Sequence, residues 1–200
     1  VTSVTFAHDT GSSEDRILVV GVSWEDSATA STVSTVTFNG DSMTALTQSA
    51  HGSYIRCQLF YRVAPDLGNN NVIVTMSATT DDIVVGAVSY YGVHQSSPVG
   101  SVANATGTGT ATTATVNVTT VDDDLVVAVV ARADAVAVVA GSGTTERWDA
   151  ASDSVARGVG GEEEATGTST TISWTSASSP EWVISGVALK PALRTSTTTT

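Results

Sequence analysis

Short runs of β-branched residues, each closed by a turn signal, recur from one end of this chain to the other. Residues 33–38 (Val-Ser-Thr-Val-Thr-Phe) run into Asn39-Gly40, whose preference for left-handed backbone makes it the strongest short hairpin signal a sequence can carry. Strands are expected over 1–7, 16–24, 33–38, 42–50, 53–63, 71–77, 82–91, 99–103, 112–118, 124–131, 144–148, 154–162, 168–175 and 181–190, with Gly, Asn, Asp or Ser-Pro between them. No stretch reads as a helix, and only 131–140 stays open. Valine supplies 30 residues and Ser plus Thr 57, a composition stiff at χ1 and suited to a pleated surface. The fold class that follows is all-β, a two-sheet antiparallel sandwich.

Within that pattern two stretches repeat. Asp15-Arg16-Ile17-Leu18-Val19-Val20-Gly21-Val22 is echoed by Asp123-Asp124-Leu125-Val126-Val127-Ala128-Val129-Val130. The pair 71–75 then 82–88 is echoed by 170–174 then 181–187. Residues 1–93 and 112–191 therefore read as two copies of one β unit, the first with an extra Asn39-Gly40 hairpin. A single body over 1–191 built as one continuous double sheet is expected, followed by a Thr-rich tail or linker over 192–200. The first residue is valine, which fits a removed leader or an excerpt of a longer chain.

Four strands, 17–22, 83–88, 125–131 and 182–189, are apolar on both faces, whereas a sheet with one wet face alternates. Their second face needs a cover: loops, the other half or another subunit.

Charge narrows the function. Eight basic residues against twenty acidic ones give a net charge of −12, which repels phosphate and argues against nucleic acid. No apolar run reaches the roughly 18–20 residues of a membrane helix, so membrane insertion is not expected. One lysine, many hydroxyls and an acidic balance fit an extracellular or cell-surface setting, although halophilic cytosol carries a similar bias.

Catalytic signatures are missing. His8, His51 and His94 lack metal-ligand spacing, and there is no His-Glu-x-x-His and no Gly-x-Ser-x-Gly. Cys57 alternates with Ile55 and Leu59 and reads as a small buried apolar residue rather than a reactive thiol. No enzyme and no cofactor are expected. Asp122, Asp123 and Asp124 at a strand entrance have the oxygen chemistry of a Ca²⁺ site, against the simpler reading of solubilising turn charge.

The best ligand or subunit surface is the strand around 54–62. It places Tyr54, Arg56, Phe60 and Arg62 on one face, two rings and two guanidiniums, opposite a core face of Ile55, Cys57 and Leu59. Of the Tyr90-Tyr91 pair one must point in and one out. Asn104 and Asn117 head N-glycosylation sequons, at a frequency close to chance in a Thr-rich chain.

The order of signatures resembles a known group. Asp-Arg-Ile-Leu-Val-Val-Gly-Val-Ser-Trp (15–24) is followed by Val-Thr-Phe-Asn-Gly (36–40), Met-Thr-Ala-Leu (43–46), Gln-Leu-Phe-Tyr-Arg-Val-Ala-Pro (58–65) and Val-Gly-Ala-Val-Ser-Tyr-Tyr-Gly-Val (85–93). This resembles a poorly characterised jelly-roll-like β-sandwich domain of microbial secreted, cell-surface and phage structural proteins. The likeness extends nearly to Pro191, including Arg147-Trp148, and brings no catalytic residues. It implies a module that displays, adheres or assembles.

The expected function is a non-enzymatic subunit of a filament, surface layer or virion, partnered by copies of itself. Val1, Val4 and Phe6 in the first strand, or Thr197 and Thr198 in the tail, would pair with a sheet edge of the next subunit. The alternative is a carbohydrate-binding or adhesive module that recognises surface glycans through Tyr54, Arg56, Phe60 and Arg62.

Overall fold

A computed structural model describes residues 1–27, 30–52, 54–153 and 156–193. Its elements are strands, with no helix among the described residues. The first half forms β1 (Ser3–Asp9), β2 (Ile17–Glu25), β3 (Val33–Phe38), β4 (Asp41–Ser42), β5 (Thr44–Ala45), β6 (Ser49–His51), β7 (Ile55–Val63), β8 (Asn69–Met76) and β9 (Asp82–Tyr90). The second forms β10 (Val99–Thr108), β11 (Thr113–Thr119), β12 (Leu125–Arg132), β13 (Val138–Ala140), β14 (Thr145–Ser152), β15 (Ala156–Glu164), β16 (Ser169–Ser176) and β17 (Glu181–Leu189). The open stretch 131–140 contains β13, and the long return strand expected after Asn39-Gly40 is broken into β4, β5 and β6.

The strands are antiparallel throughout and lie in several sheets, so the chain is an all-β sandwich. The sheets number four among the described residues, where one continuous double sheet was expected. Each half has an outer sheet, β1-β8-β3-β4 or β11-β16-β13. Each also has an inner sheet, β5-β7-β2-β9 with β6 on β7, or β10-β17-β12-β15-β14. The pairing order β1-β8-β3 with β7-β2-β9 recurs as β11-β16-β13 with β15-β12-β17.

The two inner sheets pack face to face, giving four layers and three cores. Leu18, Val20 and Val22 of β2 point into the first sandwich with Phe38, Phe60 and Val74. The alternate residues, Ile17 and Val19, point the other way and meet Leu59, Val127, Val129 and Val187. On β12, Val126, Ala128 and Val130 face Ile172, Trp174 and Ile184 in the second sandwich. Strand alternation sends neighbouring residues to opposite faces. A central layer therefore needs both faces apolar, and this is the physical reason for the doubly apolar runs.

Small polar groups cross the central seam. Ser23 Oγ donates to the Val130 carbonyl at 2.8 Å, and Cys57 Sγ lies 3.4 Å from the Val129 carbonyl. The Asn39-Gly40 turn takes the left-handed backbone its residues favour, φ 50° and 87°.

Candidate functional site

The rim where the two inner sheets meet carries the densest polar chemistry. A β-bulge organises it. On β14 the register jumps between Glu146 and Trp148, leaving Arg147 without a cross-strand partner. Such a bulge re-aims the side chains beside it. Trp148 is turned between the inner sheets, where Gly21, Gly86 and Gly160 leave room for its ring. A Cβ at Gly86 would stand 2.1 Å from the indole, and one at Gly160 2.0 Å. Arg147 is turned to the rim and pairs with Glu162 of β15.

Tyr90, the last residue of β9, donates its hydroxyl to the other oxygen of Glu162 at 2.5 Å. One carboxylate thus receives a phenol from the first half and a guanidinium from the second. Burial pushes the Tyr90 phenol far up from its ordinary value, and the Glu162 carboxylate pushes it the same way. The hydrogen bond to Glu162 raises the Arg147 guanidinium. Both oxygens of Glu162 are engaged, so the trio acts as a pin between the halves.

Beside the pin lies a cavity of about 690 Å³, lined among others by Tyr91, Asp124, Leu125, Glu164 and Lys190. Tyr91 is 75% exposed at its edge, so the tyrosine pair splits as expected. Asp124 Oδ2 accepts the Val121 N–H at 3.0 Å, and the Asp124 carbonyl accepts the Ala165 N–H at 2.8 Å. This carboxylate therefore holds the turn that enters β12, while Asp122 and Asp123 are exposed. No group of three His, Cys, Asp or Glu side chains able to hold a metal occurs among the described residues.

A smaller groove of about 350 Å³ adjoins, between β1 and the end of β9. His8 Nε2 and Ser89 Oγ lie 2.8 Å apart across it. Burial lowers the His8 pKa. The neighbouring carboxylate Asp9 accepts the Gly11 N–H at 2.9 Å, which commits it to a turn. Cys57 is fully buried and its thiol is pushed well up by desolvation, the opposite of what a nucleophile needs.

The residues of the expected surface on β7 differ in exposure. The face carrying Arg56, Phe60 and Arg62 is covered by the outer sheet of its own sandwich. Phe60 is 4% exposed within that core and Arg56 is 6% exposed. Arg62 is paired with Asp41. Tyr54 lies in the turn before β7 and is half exposed. The four side chains form no common open face. A two-sided core looks like a wet face wherever long or charged side chains occur in it.

The first strand is placed in a sheet of its own chain. Val4 and Phe6 belong to β1, which pairs in register with β8 of the same chain from Ser3↔Thr75 to Asp9↔Asn69. The Val1 amino group donates to the Thr80 carbonyl at 2.6 Å. β1 is thus an edge of its sheet, paired with β8 on one side among the described residues. Thr197 and Thr198 lie outside the described residues. Asn117 is exposed and accepts from Thr171 Oγ1 at 2.6 Å, and Asn104 Nδ2 reaches the Gln48 carbonyl at 3.2 Å.

Sequence reasoning missed the Tyr90–Glu162–Arg147 pin, whose members are 72 and 15 residues apart. The glycines inside apolar strands at Gly21, Gly86 and Gly160 signal only the close approach of the neighbouring Trp148 ring, not the pin itself. Comparison of the chain with protein-family models, with curated proteins and with solved structures gives no match.

Proposed function

We propose that this protein is a non-enzymatic structural subunit of an extracellular assembly, associating with copies of itself through open sheet edges. The observation that carries this reading is the set of edge strands. β1, β9 and β11 are 7, 9 and 7 residues long, and among the described residues each pairs on one side only. Long edges present unpaired N–H and C=O groups in a row and template further pairing. The ionisable groups at the rim support the same reading, because the pin and the Asp124 turn use them to hold the fold. The acidic balance, the single lysine and the Ser/Thr-rich surface support an extracellular setting, as does the resemblance to jelly-roll-like domains of microbial surface and phage structural proteins. Electron microscopy of the purified chain at rising concentration tests it. Regular filaments, tubes or sheets are expected; a uniform population of single chains at every concentration would sink the reading.

A second reading, a carbohydrate-binding or adhesive module, is favoured by one feature. Tyr91 stands exposed at the edge of a cavity that also carries Asp124, Glu164 and Lys190, a ring beside polar groups. Glycan-array binding that disappears in Tyr91→Ala would support it, and a blank array would remove it.

A further inference from the structure

The two sandwiches differ at one edge. In the second, β10 pairs antiparallel along the outer side of β17, from Val99↔Leu189 to Thr108↔Glu181. It closes the gap between inner and outer sheets, and its Ala103 and Ala105 pack against the core. Every β17 residue after Glu181 is buried as a result. In the first sandwich β9 holds the place of β17, and among the described residues nothing holds the place of β10: there β9 pairs with β2 alone. Ile83, Val85 and Ala87 border the core yet stay partly exposed, and the whole stretch from Ala87 to Tyr90 is half-buried. The groove between β1 and β9 is the end of this open slot.

Nothing on β9 guards the edge. Between Asp82 and Tyr90 there is no charge, no proline and no break in register with β2. Edges left open in soluble chains are ordinarily blunted by one of these devices. By contrast, β14 carries charges and a bulge.

Chain order points to the occupant. The stretch after Val93, where the first half closes, becomes β10 and fills the edge of the following sandwich rather than its own. The second half closes at the same place: Pro191 bridges Val93, and the Ala192 N–H donates to the Gly92 carbonyl at 2.7 Å. Leu193 then leaves the surface, 81% exposed. The seven residues beyond it, Arg194 to Thr200, lie outside the described residues; six of them are Ser or Thr and one is charged. Fully extended they reach about 23 Å, most of the length of β9. They are uncharged after Arg194 and mostly β-branched, the chemistry an uncharged edge accepts.

We propose that the β9 edge is an acceptor for an added strand, and that residues 194–200 of a second copy supply it, antiparallel to β9 as β10 is to β17. Each copy then offers one acceptor and one donor, a head-to-tail contact that propagates. The inference rests on the self-assembly reading and names the contact that drives it.

The test compares the full chain with a chain ending at Leu193, by sedimentation velocity over a concentration series and by amide hydrogen exchange of residues 82–90. A full-length Thr197→Pro/Thr199→Pro variant, which removes backbone donors and keeps the length, is the second arm. The expected result is growth with concentration for the full chain only, and exchange over 82–90 slowed about tenfold or more relative to both variants. A synthetic peptide of residues 194–200, added in excess to the truncated chain, should restore that protection. Polymers that persist unchanged in both variants would overturn the assignment and leave the assembly reading standing. A single-chain species whose 82–90 amides are protected by its own tail would overturn the second copy as donor. Single chains with identical exchange in all three proteins would overturn both.

Discussion

At the residue scale, glycines and partly buried carboxylates decide the most. Gly86 and Gly160 face the Trp148 ring so closely that a methyl group on either would overlap it. Gly86→Ala and Gly160→Ala should each cost about 1–3 kcal/mol, the usual penalty for overpacking a core. Gly167, with nothing within 4 Å of a Cβ, is the control, and Gly167→Ala should be near neutral. Urea denaturation followed by tryptophan fluorescence measures all three. Glu25 is the reverse case. Burial raises its pKa above the ordinary 4.5, and Asp82, Asp81 and Glu181 push in the same direction. A carboxyl whose folded pKa is raised adds stability below its ordinary value and loses that contribution as pH rises through the folded value. Glu25→Gln keeps the neutral form at every pH. It should therefore raise the melting temperature at pH 7, by a small amount because Glu25 is only partly buried and solvent screens its charge. The gain should vanish below about pH 4, where Glu25 is protonated in either state. A gain that is constant with pH would show that charge is not its cause.

At the scale of elements, the pattern of the chain was legible and the environment of each face was not. β3 was expected at its observed bounds, and β2, β9, β12 and β17 within one or two residues, because β-branched runs between turn residues leave few alternatives. Cys57 was readable as part of one buried face of β7 with Ile55 and Leu59, and all three are fully buried. Arg56 and Arg62 on β7 look like solvent-facing residues in the sequence. Arg56 is 6% exposed and Arg62 pairs with Asp41 of β4, surroundings that no local pattern encodes. The pin between β9, β14 and β15 was invisible for a related reason: it needs a bulge on β14 to aim Arg147 at Glu162. Tyr90→Phe removes the phenol donated to that carboxylate and should cost about 1.5–3 kcal/mol, as expected for a hydrogen bond to a charged group. Equilibrium urea unfolding measures this loss. An unchanged midpoint would mean that the Arg147–Glu162 pair holds the rim alone.

At the scale of the whole molecule, the shared central core couples the two sandwiches. Val19, Cys57 and Leu59 from one half are buried by Val127, Val129 and Val187 from the other. Residues 1–93 produced alone should expose this face, bind an apolar dye such as ANS and lose solubility. A soluble half that binds no dye would show that the central seam is dispensable. The intact chain should unfold in a single urea transition, seen alike by Trp24 in the first sandwich and Trp174 in the second. What the sequence by itself determined was local: strand after strand, the Asn39-Gly40 turn, the burial of Cys57, and the requirement that four strands be covered on both faces. These follow from steric preference and alternation, which act over a few residues. Only the tertiary structure decided what supplies that cover, namely the other half across a central seam. It alone placed Trp148 on three glycines, set Tyr90 against Glu162, and left β9, among the described residues, without the strand that β17 has. Those outcomes depend on which surfaces meet across tens of residues of chain, and packing of whole sheets settles them rather than the preference of any segment.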